Sequence, residues 1–150
     1  KDVRIHPEYG TVETRIADSM PSLVDTVAVA TFVQALCIKI GEDWEKGGLG
    51  KPIPTWLVEN NRWAVIKEGL NAKFILDLSG ETKPITLVIK ETIESISSIA
   101  ERLGSLDSLL SINSLIDKPQ VVDEMREISS QTSLVEVVHF LEKKLISSLQ

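Results

Sequence analysis

The sequence predicts an α+β chain, with two or three short antiparallel strands packed with a mainly helical bundle. Three observations lead there. Strand-like alternation is confined to the first 17 residues and to a short run after residue 72. Apolar residues at helical spacing fill most of the remainder, and Gly or Pro marks the boundaries between those segments. Two or three strands are also too few to stand as a sheet of their own, so the chain is expected to be one region of a larger fold.

The elements follow in order. Val3-Arg4-Ile5-His6 forms a first extended arm, and a turn spans Pro7 to Gly10. Pro7 cannot donate to a ladder and Gly10 tolerates a positive φ, which suits a tight reversal. A strand is expected over residues 11–17, with Thr11, Glu13 and Arg15 on one face and Val12, Thr14 and Ile16 on the other. Ser22 reads as an N-cap, with Asp25 three residues on as a weak capping box.

The helix that follows, over 23–40, is apolar nearly all round, which predicts burial on most sides and an end at Gly41. Residues 41–55 form a loop rich in Gly, Pro and charge, and a second helix covers 56–69 up to Gly69. A short strand is expected over 73–78, then a turn bracketed by Gly80 and Pro84. An amphipathic helix over 85–103 carries Ile85, Ile89, Ile93, Ile96, Ile99 and Leu103 near helical spacing. Helices over 106–116, 120–130 and 133–149 complete the tail, the last with a stripe of Leu134, Val137, Val138, Leu141 and Leu145. Residues 1–80 thus make a strand-and-helix part, and 81–150 a helical tail, of one region.

Composition narrows the function. A length of 150 residues with 43% hydrophobic content supports a single core. A net charge of −6 argues against nucleic acid as a partner, because phosphate backbones need clustered cations. Residues 1–75 carry nine Lys or Arg against ten acids, while 76–150 carry seven against twelve, so an anionic ligand is better served by the first half. Cys37 is the only cysteine, which excludes an internal disulfide and fits a reducing, cytoplasmic setting. No signal peptide is visible, and no apolar run is read as long enough for a bilayer, so no membrane partner is expected. The chain opens on Lys1 without an initiator Met, in keeping with a processed chain or a piece of a longer protein.

Several motifs have ordinary explanations. Gly47-Gly48-Leu49-Gly50-Lys51 lacks Walker spacing, since Lys51 is followed by Pro52, and reads as a surface loop. Cys37, within a buried-looking helix, reads as a small hydrophobe. His139 reads as a partly buried helical residue, and the serine pairs near 97 and 129 as surface positions. Glu13 and Arg15 stand apart. A carboxylate and a guanidinium two residues apart on a strand address the same space, one a hard ligand for Mg²⁺ and the other a planar fork for phosphate oxygens. Arg4 and His6 on the neighbouring arm are placed to join them. The plain alternative is a cross-strand ion pair on a solvated face.

The stretch Asp2-Val3-Arg4-Ile5-His6-Pro7, followed by Gly10-Thr11-Val12-Glu13-Thr14-Arg15-Ile16-Ala17-Asp18, resembles the bacterial glutamate–cysteine ligase family, in its ATP-dependent carboxylate–amine ligase branch. Gln34-Ala35-Leu36 near the end of the apolar helix matches the same pattern. So does a second block, Glu59-Asn60-Asn61-Arg62-Trp63 through Gly69-Leu70-Asn71-Ala72. The family usually has a basic residue after that Trp, where this chain has Ala64; Lys67 lies one turn on.

The resemblance covers the C-terminal part of the family and implies part of a glutamine-synthetase-like fold. It implies Mg²⁺ on Glu13, phosphate on Arg15 as the catalytic cation, and phosphate or acidic substrate on Arg4 and His6. The implied substrates are ATP, glutamate, and cysteine or another amine, joined through an acyl phosphate to give γ-glutamylcysteine or a related γ-glutamyl amide. The chain alone is then expected to be inactive, as part of an enzyme of glutathione biosynthesis. Independently of the resemblance, exposed sheet edges and uncovered apolar faces are expected to make it a homo-oligomer. The competing reading is a non-catalytic helical interaction domain in which Glu13 and Arg15 pair only with each other.

Overall fold

Two separate β-hairpins and seven α-helices make up the described part of the chain, residues 2–149 of a computed structural model. The order is β1 (Val3–His6), β2 (Thr11–Thr14), α1 (Leu23–Glu45), α2 (Thr55–Glu68), β3 (Lys73–Ile75), β4 (Thr82–Pro84), α3 (Ile85–Arg102), α4 (Leu106–Leu110), α5 (Ile112–Asp117), α6 (Val121–Gln131) and α7 (Leu134–Ser147). The α+β class stands, with four strands in place of the two or three expected. The strand expected over 11–17 stops at Thr14, and that over 73–78 stops at Ile75. Thr82–Pro84, read as part of a turn, pairs with Lys73–Ile75 instead. Its three residues are too few for alternation to show, and Pro84 sits at the strand end, where a missing N–H costs little.

The first hairpin closes as its residues dictate. Tyr9 and Gly10 donate backbone hydrogen bonds to the carbonyls of His6 and Pro7, and Gly10 takes φ 60°. Ser22 caps α1, its hydroxyl accepting from the Asp25 N–H at 3.3 Å.

The helix then overruns the end expected at Gly41 and continues to Glu45. Side-chain ties hold the extra turn: Lys39 reaches Asp43 at 2.7 Å across Gly41, and Arg102 of α3 reaches Glu42 at 2.6 Å. A mid-helix Gly weakens a helix by only about 1 kcal/mol, so such contacts decide its fate. The chain instead reverses at Gly47, where φ is 68°.

The core lies where α1 crosses α3, α4 and α5. From α1 the buried residues are the small Ala28, Thr31 and Ala35, which lie on one face and admit a close approach. From α3 they are Ile93, Ile96, Ile99 and Ala100, met by Leu109 of α4 and Ile112 of α5. Small residues facing large ones let the layers interlock, and each fully buried Leu or Ile contributes about 1.5–3 kcal/mol.

The prediction that α1 is buried on most sides is corrected: Leu23, Val24, Val27, Ile40 and Trp44 are exposed. Cys37, read as buried, is likewise exposed and free. The stripe of α7 is also largely uncovered, with Val137 alone buried and Leu134, Val138 and Leu145 exposed. By length and composition alone α1 is apolar enough to cross a bilayer, contrary to the reading that no run is long enough. Hydropathy does not distinguish such a span from a helix whose small-residue face packs on α3.

The second hairpin is bolted to α2. Asn61 donates to the Ile75 carbonyl at 2.9 Å and accepts from the Ile75 N–H at 2.8 Å, so one side chain satisfies both backbone groups of a strand residue. Leu57 of α2 and Ala72 are buried, and the Ile85 N–H donates to the Ala72 carbonyl, joining this unit to α3. The helix expected over 106–116 is two short ones, α4 and α5, broken at Ser111. α6 and α7 form a pair clasped by Lys144 and Glu124, and Ser148 accepts from the Leu23 N–H at 2.9 Å, tying the tail back to the start of α1.

Candidate strand-face site

The register of the first hairpin sorts its side chains. Arg4 lies opposite Glu13 and His6 opposite Thr11, while Val3 faces Thr14 and Ile5 faces Val12. Directly opposed residues share a face, so Arg4, His6, Thr11 and Glu13 occupy one side and the apolar residues the other. The expected alternation is what the strands adopt.

All four residues singled out from the sequence meet on that polar face. Arg4 Nε stands 2.7 Å from Glu13 Oε2, His6 Nε2 3.2 Å from it, and Arg15 Nε 3.9 Å from it. Arg4, not Arg15, is therefore the nearest partner of Glu13, which departs from the pairing the alternative reading supposed. Arg4 Nε also approaches His6 Nε2 at 2.9 Å. That nitrogen accepts from Arg4 in one tautomer or donates to Glu13 in the other, but does not do both. The four side chains remain between 31% and 49% exposed, so a ligand can reach them. The tilted ring of Tyr9 stands 6.0 Å from that of His6 and edges the site.

The electrostatics favour an ionised Glu13. Partial desolvation raises its pKa, but the hydrogen bond from His6 and the charges of Arg4 and Arg15 outweigh it and leave the carboxyl below the usual glutamate range. As a donor set for Mg²⁺, the face offers one ionised carboxylate whose Oε1 has no hydrogen bond among the described residues. Mg²⁺ typically takes only one or two carboxylates beside phosphate and water oxygens, so Glu13 fits as a single ligand. No group of three or more His, Cys, Asp or Glu that could hold a metal lies among the described residues.

Two open clefts on the body are lined by other residues: one by Lys67, Asn71, Lys118 and Arg126, the other by Met20, Val24, Val122 and Met125. Lys67 stands 4.0 Å from Glu68 and has no ion pair or hydrogen bond to the strand face. His139 is more exposed than expected and stands 3.5 Å from Glu136. Ser97 and Ser130 turn their hydroxyls back onto the carbonyls of Ile93 and Glu127. The Gly47–Lys51 segment is an exposed loop, as read.

Two contacts escaped the sequence reading. Arg62 of α2 places Nη2 3.2 Å from Oδ1 of Asp2, while its Nη1 lies 3.8 Å from Glu59. Asn61, beside it, makes the paired bonds to Ile75. Their only sequence signal is a shared position in the second resemblance block, which does not say what they touch.

Known proteins similar to this chain carry ligase names. A Frankia casuarinae protein provisionally named glutamate–cysteine ligase 2-1 is 35% identical over 108 residues, covering 72% of this chain and 28% of the relative. A Thermobifida fusca protein provisionally named glutamate–cysteine ligase 2 is 32% identical over 91% of this chain and 34% of its own length. One from Nocardia farcinica, provisionally named glutamate–cysteine ligase 2-2, is 29% identical over 96% of this chain and 38% of its own. The chain thus spans about a third of the length of these relatives. They set the class, a ligase-type enzyme family. Residues 1–139 match the profile of glutamate-cysteine ligase family 2, and the chain belongs to that family.

Proposed function

We propose that this chain is a region of an ATP-dependent carboxylate–amine ligase that joins the side-chain carboxylate of glutamate to cysteine or another amine. The observation that carries the reading is the convergence of Arg4, His6 and Arg15 on Glu13 within 3.9 Å on an accessible strand face. Family membership supports it.

Formation of an acyl phosphate from glutamate and ATP, followed by attack of the amine, is mainly a problem of positioning and charge neutralisation. Arg15 supplies a planar cation to the transferring phosphoryl oxygens, and Arg4 and His6 hold a further phosphate or the acidic substrate. Glu13 orients both guanidinium groups and, through its ionised carboxylate, would hold Mg²⁺. The ion supplies further neutralisation of phosphate charge when bound. The rest of the metal shell and nucleotide pocket lies outside these four residues, so the chain alone is expected to be inactive.

The test is an ATP-consumption screen of the full-length enzyme with glutamate and a panel of amines, repeated with Glu13→Ala. Loss of Mg²⁺-dependent turnover by about 100-fold or more, with an unchanged melting temperature, is the expected result. Unchanged turnover refutes the site, and favours a non-catalytic interaction domain whose strand-face charges only pair with one another.

A further inference from the structure

The strand-face site stands on a hairpin that is almost detached from the body. Val3, Ile5, Val12 and Ile16 are all more than half exposed, and no helix packs broadly on β1 or β2. Among the described residues, one polar contact joins residues 2–15 to the rest of the chain: the ion pair between Asp2 and Arg62. Asp2 is well placed to matter. Its carbonyl accepts the Arg15 N–H at 2.7 Å, one step beyond the last register pair, Val3 with Thr14. Arg62, for its part, projects from a helix held by the fully buried Leu57 and by the paired bonds of Asn61.

We propose that Arg62 is a positioning residue for the strand-face site: by gripping Asp2 it fixes the base of the hairpin and hence the placement of Arg15. The proposal rests on the ligase reading for its catalytic consequence, though the mechanical link stands on the contacts alone. The route has three steps. The guanidinium holds the Asp2 carboxylate, the Asp2 carbonyl holds the Arg15 amide, and Arg15 carries the phosphate-directed cation. Arg62 spreads two nitrogens between Asp2 and Glu59, a bracket a single ammonium copies only in part. This assigns a role to the Asn61-Arg62-Trp63 segment: Asn61 anchors the second hairpin, and Arg62 the first.

The experiment uses the full-length enzyme and four variants, Arg62→Gln, Arg62→Lys, Asp2→Asn and the double variant Asp2→Asn/Arg62→Gln. Hydrogen exchange at the peptide containing Arg15 is read beside kcat and KM for ATP. Arg62→Gln should speed exchange there about fivefold, the scale of an exposed ion pair, while the peptide around Ile75 keeps its rate. KM for ATP should rise and kcat fall without loss of melting temperature, Arg62→Lys should restore part of both, and Asp2→Asn should add nothing to Arg62→Gln. Unchanged exchange at Arg15 in Arg62→Gln, or fully additive single variants, overturns the proposal. Arg15→Ala separates the two ideas. If it leaves turnover intact, the ligase reading of the site fails, while the exchange data still decide whether Arg62 holds the hairpin.

Discussion

The β1–β2 hairpin and the α1–α3–α4–α5 core are stabilised in opposite ways. The core buries Ile96 and Leu109 completely and sets small residues of α1 against them, so its geometry comes from non-directional packing spread over many contacts. The hairpin buries none of its apolar residues; its shape comes from ladder bonds, a Gly10 turn and three charged or titratable side chains around the Glu13 carboxylate. Packing confers rigidity and tolerates solvent poorly. A charged strand face remains open to ligands, but depends on tethers for its position. The contrast explains why one ion pair at Asp2 carries structural weight that a surface ion pair on α6, such as Arg126 with Asp123, does not.

The sharpest way to break that contrast is Ile96→Ala, which opens a cavity in the core and should cost about 2–5 kcal/mol in a denaturant titration of the chain. A loss below about 1 kcal/mol would mean that the core is not where stability resides. Next is Asn61→Ala, which leaves the Ile75 N–H and carbonyl without their partner and should cost about 1–3 kcal/mol, with faster amide exchange at Ile75. Ile5→Ala on the exposed hairpin face should stay within about 0.5 kcal/mol in the same titration. A core-like penalty there would show that this face is covered in solution.

The smallest effect concerns pH. The carboxyls of Glu42 and Asp77 are held low, Glu42 by the hydrogen bond from Arg102 against some desolvation, and Asp77 by the hydroxyl and N–H of Ser79. Glu13 is shifted the same way. Each folded-state pKa therefore lies below its unfolded value, about 4.3 for Glu and 3.9 for Asp. The stabilisation is complete above those values and is lost as pH falls through the lower folded ones. Acid titration should show a mild loss of stability below about pH 4, which Glu42→Gln reduces globally and Glu13→Gln changes only in exchange at the hairpin. A global response to Glu13→Gln equal to that of Glu42→Gln would erase the distinction between the two regions.

Much of this was legible from residue order. The Pro7-to-Gly10 turn, the cap at Ser22, the alternation through Glu13 and the isoleucine stripe of α3 are local features, each decided within a few residues of itself. The membership of Arg4, His6, Glu13 and Arg15 in one cluster was also within reach, because strand period and a four-residue turn determine which side chains share a face. Boundaries were harder. Gly41 is a helix terminator by propensity, and the pair of Lys39 with Asp43 across it, together with the reach of Arg102 from another helix, shows why α1 passes through it.

The long-range contacts could not be read in advance. That α1 buries Ala28, Thr31 and Ala35 while exposing Val24, Val27 and Trp44 depends on which neighbours are present, and hydropathy ranks those residues the other way. The bond from Asn61 to Ile75 spans 14 residues and the grip of Arg62 on Asp2 spans 60, with no periodicity linking either pair. Sequence alone determined the elements, the polar face of the first hairpin and its four residues, because backbone sterics and side-chain period act locally. Tertiary structure alone decided that Arg4 is the closest partner of Glu13 and that α2 holds both hairpins. The first outcome rests on side-chain distances within the hairpin, and the second on contacts between segments far apart in the chain.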